Sequence, residues 1–382
     1  MKKEIKENTK KTSGGKKHVI RRILCILGIL ILIALASVLL YHPVRNLLQR
    51  AKAPKKSYGR EYISEISVKG QDGELMTVGL SLDEVPDAYT YEPFHHGKLE
   101  RFSYTTQNYG RLDQEEGEIE KEAMVYLPYG YSSDKQYNVV YLMHGAGGTI
   151  GRFFGWPSFP KEFKYIVDNM IATGEIEPMI FVSLTYYPEN GMDRQRDWDA
   201  NFTKAYVQEL RNDVLPQVES HYSTYAETAD PEGLKASRWH RTFAGFSMGS
   251  VTMFYRLCDC LDLFHSFMGM SGSLYWGVDA RQNSDSKDFG AEYVIDAVEA
   301  QGYTKDDFFL YTCVGSEDFA RDVMERQTAA EKNHPEFFSF GEDGEPANTV
   351  YELYEGERHG GGHGSMRYLY NALPIFSRLM AE

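Results

Sequence analysis

The residue with the clearest catalytic potential is a serine that lies between two glycines, in the stretch "RTFAGFSMGS" at residues 241–250. A serine in the pattern Gly-x-Ser-x-Gly acts as a nucleophile when it lies on a sharp strand-to-helix turn. Side chains at Gly245 and Gly249 would collide with neighbouring backbone in such a turn. The alternative is a plain small-residue turn, because this pentapeptide also recurs by chance. The apolar strand before Ser247 and the helical pattern after it favour the nucleophile.

A serine hydroxyl is a weak nucleophile, so it needs a histidine base and a carboxylate that orients the base. The segment "LYTCVGSEDF" provides an apolar strand followed by Asp318, with Glu317 as the adjacent alternative. The segment "ERHGGGHGS" provides His359 and His363 between a strand and the last helix. Each of these groups therefore follows a strand, in the order serine, acid, histidine.

A second glycine-rich segment, "HGAGG" at residues 144–148, directly follows the apolar run "VVYLM". Backbone amides in such a loop can converge on one point and stabilise the oxyanion of a tetrahedral intermediate. The alternative is an ordinary glycine-rich turn. A phosphate-binding loop is excluded, because the Gly-Lys-Ser/Thr that it requires is absent from the sequence. The position of the loop directly after a buried strand favours the oxyanion hole.

His359 and His363 could instead ligate a metal ion, since they are four residues apart. That spacing brings two histidines onto one face only in a helix, whereas the glycines at 360–362 predict a loop. The sequence offers no third ligand beside them. We therefore expect neither a metal nor a cofactor.

These loops meet at one edge of a sheet only if strands alternate with helices. From residue 98 onward, short apolar runs such as "YNVVYLMHG" and "PMIFVSLTY" are separated by helical patterns such as "PKEFKYIVDNMIATG". This alternation predicts an α/β fold with a mostly parallel central sheet and helices on both faces. The sequence shows no internal repeat, so residues 98–382 are predicted to form one domain.

The first 97 residues divide into a basic tail at 1–22, an uncharged apolar run at 23–41, and a linker with an N-terminal extension at 42–97. The apolar run is nearly long enough to span a bilayer core. The Lys and Arg residues that precede it predict a cytoplasmic N-terminus, a single-pass anchor and an extracellular catalytic domain. The alternative is a signal peptide cleaved after Ala36, which would release the same domain outside the cell.

The charge distribution limits the class of partner. The chain has a net charge of −14, and the basic residues 1–56 leave −26 on residues 57–382. A body this acidic repels phosphate backbones, so we do not expect a nucleic acid partner. A membrane contact is expected only through residues 23–41.

Four segments in order, "YLMHGAGG", "HRTFAGFSMGS", "GSEDFA" and "GGHGSMRYLYNALPIF", resemble the esterase D-like α/β-hydrolases. Within that group they are similar to carbohydrate esterase family one, the feruloyl and acetylxylan esterases. The resemblance covers residues 98–380. It implies that Ser247 is the nucleophile, Asp318 the acid and His363 the base, with His359 as the rival position.

The resemblance also implies that the backbone amides of Ala146 and Met248 form the oxyanion hole. One departure concerns the acyl pocket: many members carry an aromatic residue soon after the histidine, whereas Gly364, Ser365 and Met366 follow His363 here. Aromatic residues near the motif loops could stack on a substrate or simply pack in the core; they are Trp156, Trp198, Trp276, Tyr186 and Tyr187.

The function that the resemblance implies is an exported serine esterase. It would hydrolyse carboxylic esters, with feruloyl or acetyl groups on plant cell-wall polysaccharide as the expected substrates, through an acyl-enzyme. Three alternatives are an acyltransferase of the same fold, an esterase for a siderophore, and a non-catalytic surface binding protein.

Overall fold

The computed structural model describes residues 21–31, 35, 43–109, 117–187, 200–281, 286–360 and 364–381. The chain falls into two compact units, Met1–Lys52 and Ala53–Glu382. Within the first unit the chain is helical over residues 21–31 and 43–50. None of the helices in the described ranges is long and apolar enough to cross a membrane. The predicted span at 23–41 lies partly outside those ranges, which omit residues 32–34 and 36–41.

A central sheet of eight strands organises the second unit. All described strands of this unit, including those of two small separate sheets, are in chain order β1 (Tyr62–Lys69), β2 (Leu75–Ser81), β3 (Lys98–Gln107), β4 (Glu118–Leu127), β5 (Asn138–Met143), β6 (Gly155–Trp156), β7 (Phe159–Pro160), β8 (Met179–Leu184), β9 (Arg241–Phe246), β10 (Ser266–Met270), β11 (Phe309–Gly315) and β12 (Thr349–Tyr354). The order across the central sheet is β3-β4-β8-β5-β9-β10-β11-β12.

Most of this sheet is parallel. Strand β5 is parallel to β8 and β9, and the parallel pairing continues through β10, β11 and β12. Strands β3 and β4 are antiparallel and form one edge. The predicted α/β fold is thus confirmed, with this edge as its antiparallel part. Because the carboxyl ends of parallel strands meet at one edge, the loops after β5, β9, β11 and β12 come together.

Helices cover both faces of the sheet, as the sequence pattern predicts. They are α1 (Glu162–Ala172), α2 (Ala200–Glu209), α3 (Leu215–His221), α4 (Pro231–Ala236), α5 (Met248–Asp259), α6 (Phe289–Ala300), α7 (Arg321–Lys332) and α8 (Gly364–Leu379). Strand β5 shows how its two faces are used. Val139, Tyr141 and Met143 pack in one hydrophobic cluster, which includes residues of α5, and Val140 and Leu142 pack in the other, which includes residues of α1 and α8.

Strands β1 and β2 form a separate antiparallel hairpin within residues 42–97. Val68 and Val78 are buried in the same hydrophobic cluster as residues of α8. The Ser81 hydroxyl donates a hydrogen bond to Asn371 Oδ1 at 2.7 Å. The N-terminal extension therefore contributes to the core beneath the last helix.

Candidate active site

Ser247 lies in the turn between β9 and α5. Its backbone has φ 57° and ψ −118°, a conformation that non-glycine residues rarely adopt. Such a conformation costs on the order of 1–3 kcal/mol and persists only where the surrounding structure holds it. The Ser247 amide donates to the Met270 carbonyl at 2.8 Å, which ties the turn to the end of β10.

The two flanking glycines are required by close backbone approach. A Cβ at Gly245 would lie 1.9 Å from the Gly249 oxygen. A Cβ at Gly249 would lie 2.2 Å from the Met143 oxygen, at the end of β5. No side chain fits at such distances, because real Cβ atoms do not approach another atom so closely. The steric reason predicted for these glycines is therefore confirmed.

Ser247, His359 and Asp318 form one hydrogen-bonded chain. His359 Nε2 lies 2.9 Å from Ser247 Oγ, and His359 Nδ1 lies 2.8 Å from Asp318 Oδ1. A carboxylate only accepts, so Nδ1 carries the proton and Nε2 is left to accept from the serine hydroxyl. Asp318 is buried, and the Ala320 amide donates to its Oδ1 at 2.7 Å. This is the geometry of a nucleophile, a base and an orienting acid.

The histidine beside the serine in the described structure is His359, the rival position of the sequence prediction. The predicted base, His363, lies outside the described residues. The short connection from the end of β12 at Tyr354 to His359 brings His359 directly to the edge where Ser247 lies. Sequence reasoning named His359 only as the rival; its closeness to the strand end was the signal that could have selected it.

The adjacent alternative for the acid, Glu317, points elsewhere. Its carboxylate accepts from Arg358 Nε at 2.6 Å, and both side chains are largely exposed. Backbone bonds run beside this ion pair: the Ser316 amide donates to Tyr354 O at 2.9 Å and the Glu317 amide to Glu357 O at 3.0 Å. The loops that carry Asp318 and His359 are therefore fastened to each other.

The loop after β5 is held by a buried histidine. His144 Nδ1 lies 2.7 Å from the Gly145 oxygen, and Nε2 lies 2.8 Å from Thr185 Oγ1. Burial lowers the pKa of His144 to about 4, so the ring is neutral at neutral pH. Because a carbonyl only accepts, Nδ1 carries the proton, and Nε2 accepts from the Thr185 hydroxyl. Sequence reasoning identified His144 only as part of the glycine-rich loop and missed that its ring fixes the loop to Thr185.

The two residues predicted to supply oxyanion amides, Ala146 and Met248, follow β5 and Ser247 respectively. Ala146 lines the cavity beside Ser247. Met248 is the first residue of α5, where helical amides have no carbonyl partner within the helix. The partial positive charge of a helix N-terminus also favours a developing anion at that point.

A cavity of about 610 Å³ opens above Ser247, a size typical of small-molecule sites. Three aromatic rings line it, those of Phe246, Trp276 and Phe319. Phe319 contacts the His359 ring at 4.0 Å between centroids, and its side chain is 71% exposed. Phe319 was missed by sequence reasoning, although it directly follows the acid in "SEDF".

Of the aromatic residues considered for stacking, Trp276 lines the cavity. Tyr186 and Tyr187 are buried and pack against the ring of His144. Trp156 is not among the lining residues, and Trp198 lies outside the described residues. Within the described ranges, no group of three or more metal-ligating side chains comes together.

Comparison with known proteins identifies relatives of this chain. The family model Esterase, described as "Putative esterase", matches residues 117–359. Endo-1,4-beta-xylanase Y of Acetivibrio thermocellus is 35% identical over 292 residues, which cover 76% of this chain and 24% of that protein. An endo-1,4-beta-xylanase/feruloyl esterase of Xylanibacter ruminicola is 30% identical over 172 residues, which cover 43% of this chain and 20% of that protein.

The fold is also similar to a solved structure, a serine-to-alanine mutant of the feruloyl esterase module from Clostridium thermocellum complexed with sinapinate. The TM-score is 0.65 and the identity 31%, and the match covers 85% of this chain and 98% of that one. The chain thus spans a quarter or less of the length of the two curated relatives, but nearly all of the solved module. The resemblance to these esterases that the motifs predict is confirmed.

Proposed function

We propose that this chain, which belongs to the Esterase family of carboxylic ester hydrolases, is a serine esterase that cleaves hydroxycinnamoyl groups from plant cell-wall polysaccharide. The observation that carries the proposal is the hydrogen-bonded chain from Ser247 through His359 to Asp318 beside an aromatic-lined cavity. A non-catalytic binding protein would have no need of a serine turn that costs on the order of 1–3 kcal/mol.

The reaction proceeds through an acyl-enzyme. Ser247 Oγ attacks the ester carbonyl carbon while His359 Nε2 takes the hydroxyl proton. The amides of Ala146 and Met248 stabilise the oxyanion, and Asp318 holds the imidazole tautomer and stabilises its charged form. The tetrahedral intermediate expels the alcohol, which takes the proton from His359. Water then attacks the acyl carbonyl carbon while His359 takes its proton. The second tetrahedral intermediate releases the carboxylic acid as His359 returns the proton to Ser247 Oγ.

The aromatic lining supports a hydroxycinnamoyl substrate over an acetyl one. Phe246, Trp276 and Phe319 offer the flat surfaces that an aromatic acid stacks on, and an acetyl group would leave a cavity of about 610 Å³ mostly unfilled. One relative is named an endo-1,4-beta-xylanase/feruloyl esterase. A second is a feruloyl esterase module whose structure was solved with sinapinate bound. These names support the same substrate class here.

The test compares purified full-length wild type with Ser247→Ala. Wild type should hydrolyse methyl ferulate with a higher kcat/KM than p-nitrophenyl acetate or a siderophore ester, and a fluorophosphonate probe should label it. Ser247→Ala should lose both properties. Equal labelling of the two proteins would contradict the serine mechanism. Transfer of the feruloyl group to an added sugar, rather than to water, would instead indicate an acyltransferase.

We also propose that residues 1–41 place the catalytic unit outside the cytoplasm. Nine Lys and Arg residues precede the apolar run at 23–41, an arrangement that keeps the N-terminus on the cytoplasmic side. External protease should degrade the esterase in intact cells while a cytoplasmic marker survives, and N-terminal sequencing would separate an anchor from cleavage after Ala36. Protection of the esterase from external protease would contradict the proposal.

A further inference from the structure

The wall of the cavity contains a cation, Arg152. Arg152 lines the cavity together with Ser247 and His359, and it is half-buried. Its guanidinium carbon lies 5.4 Å from the centre of the Phe246 ring, and one terminal nitrogen would lie 3.4 Å from a Cβ at Gly360. The guanidinium therefore lies beside the residue that directly follows the base.

Within the described ranges, no hydrogen bond or ion pair joins the Arg152 guanidinium to a carboxylate. Burial lowers the pKa of Arg152. A second cation is close, because Lys161 Nζ donates to the Arg152 carbonyl at 2.8 Å. A guanidinium has up to five donors, and one that is partly removed from water gains from acceptors that replace its hydration. Because Arg152 lines the cavity beside Ser247, a ligand in that cavity is placed to supply such acceptors.

The cavity lining has an aromatic part and a cationic part. Trp276 and Phe319 lie together, with ring centroids 5.7 Å apart, and Phe319 packs against the ring of His359. Arg152 lies instead against Phe246 and Gly360. An ester between an aromatic acid and a sugar has the same division, with a flat apolar ring at one end and several oxygen acceptors at the other. His359 borders both halves, because its ring contacts Phe319 and the next residue, Gly360, lies beside Arg152. The base can therefore reach an ester oxygen that lies between the aromatic ring and the sugar.

On the basis of the proposed function, we propose that Arg152 binds the sugar part of the ester, donating hydrogen bonds to its hydroxyl or carboxylate oxygens, and thereby selects carbohydrate esters over simple ones. Arg152 is thus a specificity-determining residue that contacts the leaving group. The aromatic pair Trp276–Phe319 then receives the acyl ring.

The test uses full-length wild type, Arg152→Met and Arg152→Lys with two esters of the same acid, methyl ferulate and feruloyl arabinose. The measured quantity is the ratio of kcat/KM for the sugar ester to that for methyl ferulate. Arg152→Met should lower this ratio about 10- to 100-fold, the range expected for charge-assisted hydrogen bonds, and Arg152→Lys should restore part of it. A feruloyl ester of a uronic acid tests whether Arg152 binds a carboxylate or hydroxyl groups. If Arg152 binds the carboxylate, Arg152→Met should lower kcat/KM more for the uronic acid ester than for feruloyl arabinose.

Lys98→Met is the matched control, because Lys98 is an exposed cation on β3 outside the cavity lining, and its ratio should equal that of wild type. A ratio unchanged in Arg152→Met would overturn the inference. The inference would also be overturned if Arg152→Met changed only the ratio of kcat/KM for methyl ferulate to that for methyl cinnamate, because Arg152 would then contact the acyl ring. Absence of ferulate hydrolysis by wild type would instead overturn the proposed function itself, so the two failures are distinguishable.

Discussion

The assignment of the base to His359 is the prediction that most directly tests the active-site geometry. Replacing His359 by Gln removes the acceptor 2.9 Å from Ser247 Oγ and the donor 2.8 Å from Asp318 Oδ1. His363→Gln is the matched control, since it makes the same change four residues further along the same loop. We expect His359→Gln to lose nearly all esterase activity and His363→Gln to retain it within about threefold, because His359 is the histidine that the described structure places against the serine.

The size of the expected loss follows from the roles of the two bonds. General base catalysis alone contributes about 10²–10⁴-fold, and triad members act as a unit, so removal of the histidine costs up to about 10⁶-fold in kcat. A loss of 10⁴- to 10⁶-fold corresponds to about 5–8 kcal/mol of transition-state stabilisation. Asp318 would also be left buried without its partner, so the melting temperature of His359→Gln should fall.

The assay measures kcat for methyl ferulate and the rate of fluorophosphonate labelling for both variants, with melting temperature as the check on folding. Labelling should slow in parallel with kcat in His359→Gln, because the same proton transfer activates the serine in both reactions. An inactive but folded His363→Gln together with an active His359→Gln would refute the assignment. Equal losses in both variants would refute it as well.

Three further predictions concern the surroundings of the site and the core. His144→Asn should lower kcat about 10- to 10³-fold with little change in KM, measured on methyl ferulate, because the loop that carries Ala146 loses its link to Thr185; an unchanged kcat would contradict this role. Gly249→Ala should lower the melting temperature and abolish activity, since its Cβ would lie 2.2 Å from the Met143 oxygen, whereas Gly117→Ala, in open space, should alter neither. Glu331→Gln should stabilise the protein more at pH 9 than at pH 5, measured by thermal unfolding. Burial raises the pKa of Glu331 to about 8, so the wild type loses stability as the pH rises from about 4.5 to about 8. Glutamine does not titrate, so the variant does not lose this stability. A pH-independent difference would argue against a protonated Glu331.

The positions of Ser247, Asp318 and the glycine-rich loop after β5 could be predicted from the sequence because each depends on local pattern. Ser247 lies between glycines at a strand end, and Asp318 follows a buried strand by a short turn. Parallel strands bring their carboxyl ends to one edge, so the order of elements was enough to bring these groups together. The resemblance then added the family and the class of reaction.

The base could not be chosen in the same way. His359 and His363 are in one glycine-rich segment of the sequence, and both precede α8. The structure selects His359 through contacts between segments far apart in sequence, such as the amide of Glu317 with the carbonyl of Glu357. Periodicity describes neighbours along the chain, so it does not encode which residue of a loop meets a distant one. The resemblance favoured His363, which lies outside the described residues, whereas the described contacts favour His359.

The strained turn at Ser247 depends on how β9 is held at both of its ends. At the start of the strand Arg241 is buried, and its Nη2 donates to Glu219 Oε2 at 2.8 Å. At the end, Ser247 is tied to Met270 and Gly249 packs on β5. Breaking a buried ion pair costs about 3–5 kcal/mol, more than the roughly 1–3 kcal/mol of strain at the serine. The strained backbone is that of Ser247 alone, but the interactions that keep it in place come from α3, β5 and β10. The sequence pattern does not show that these elements contact β9.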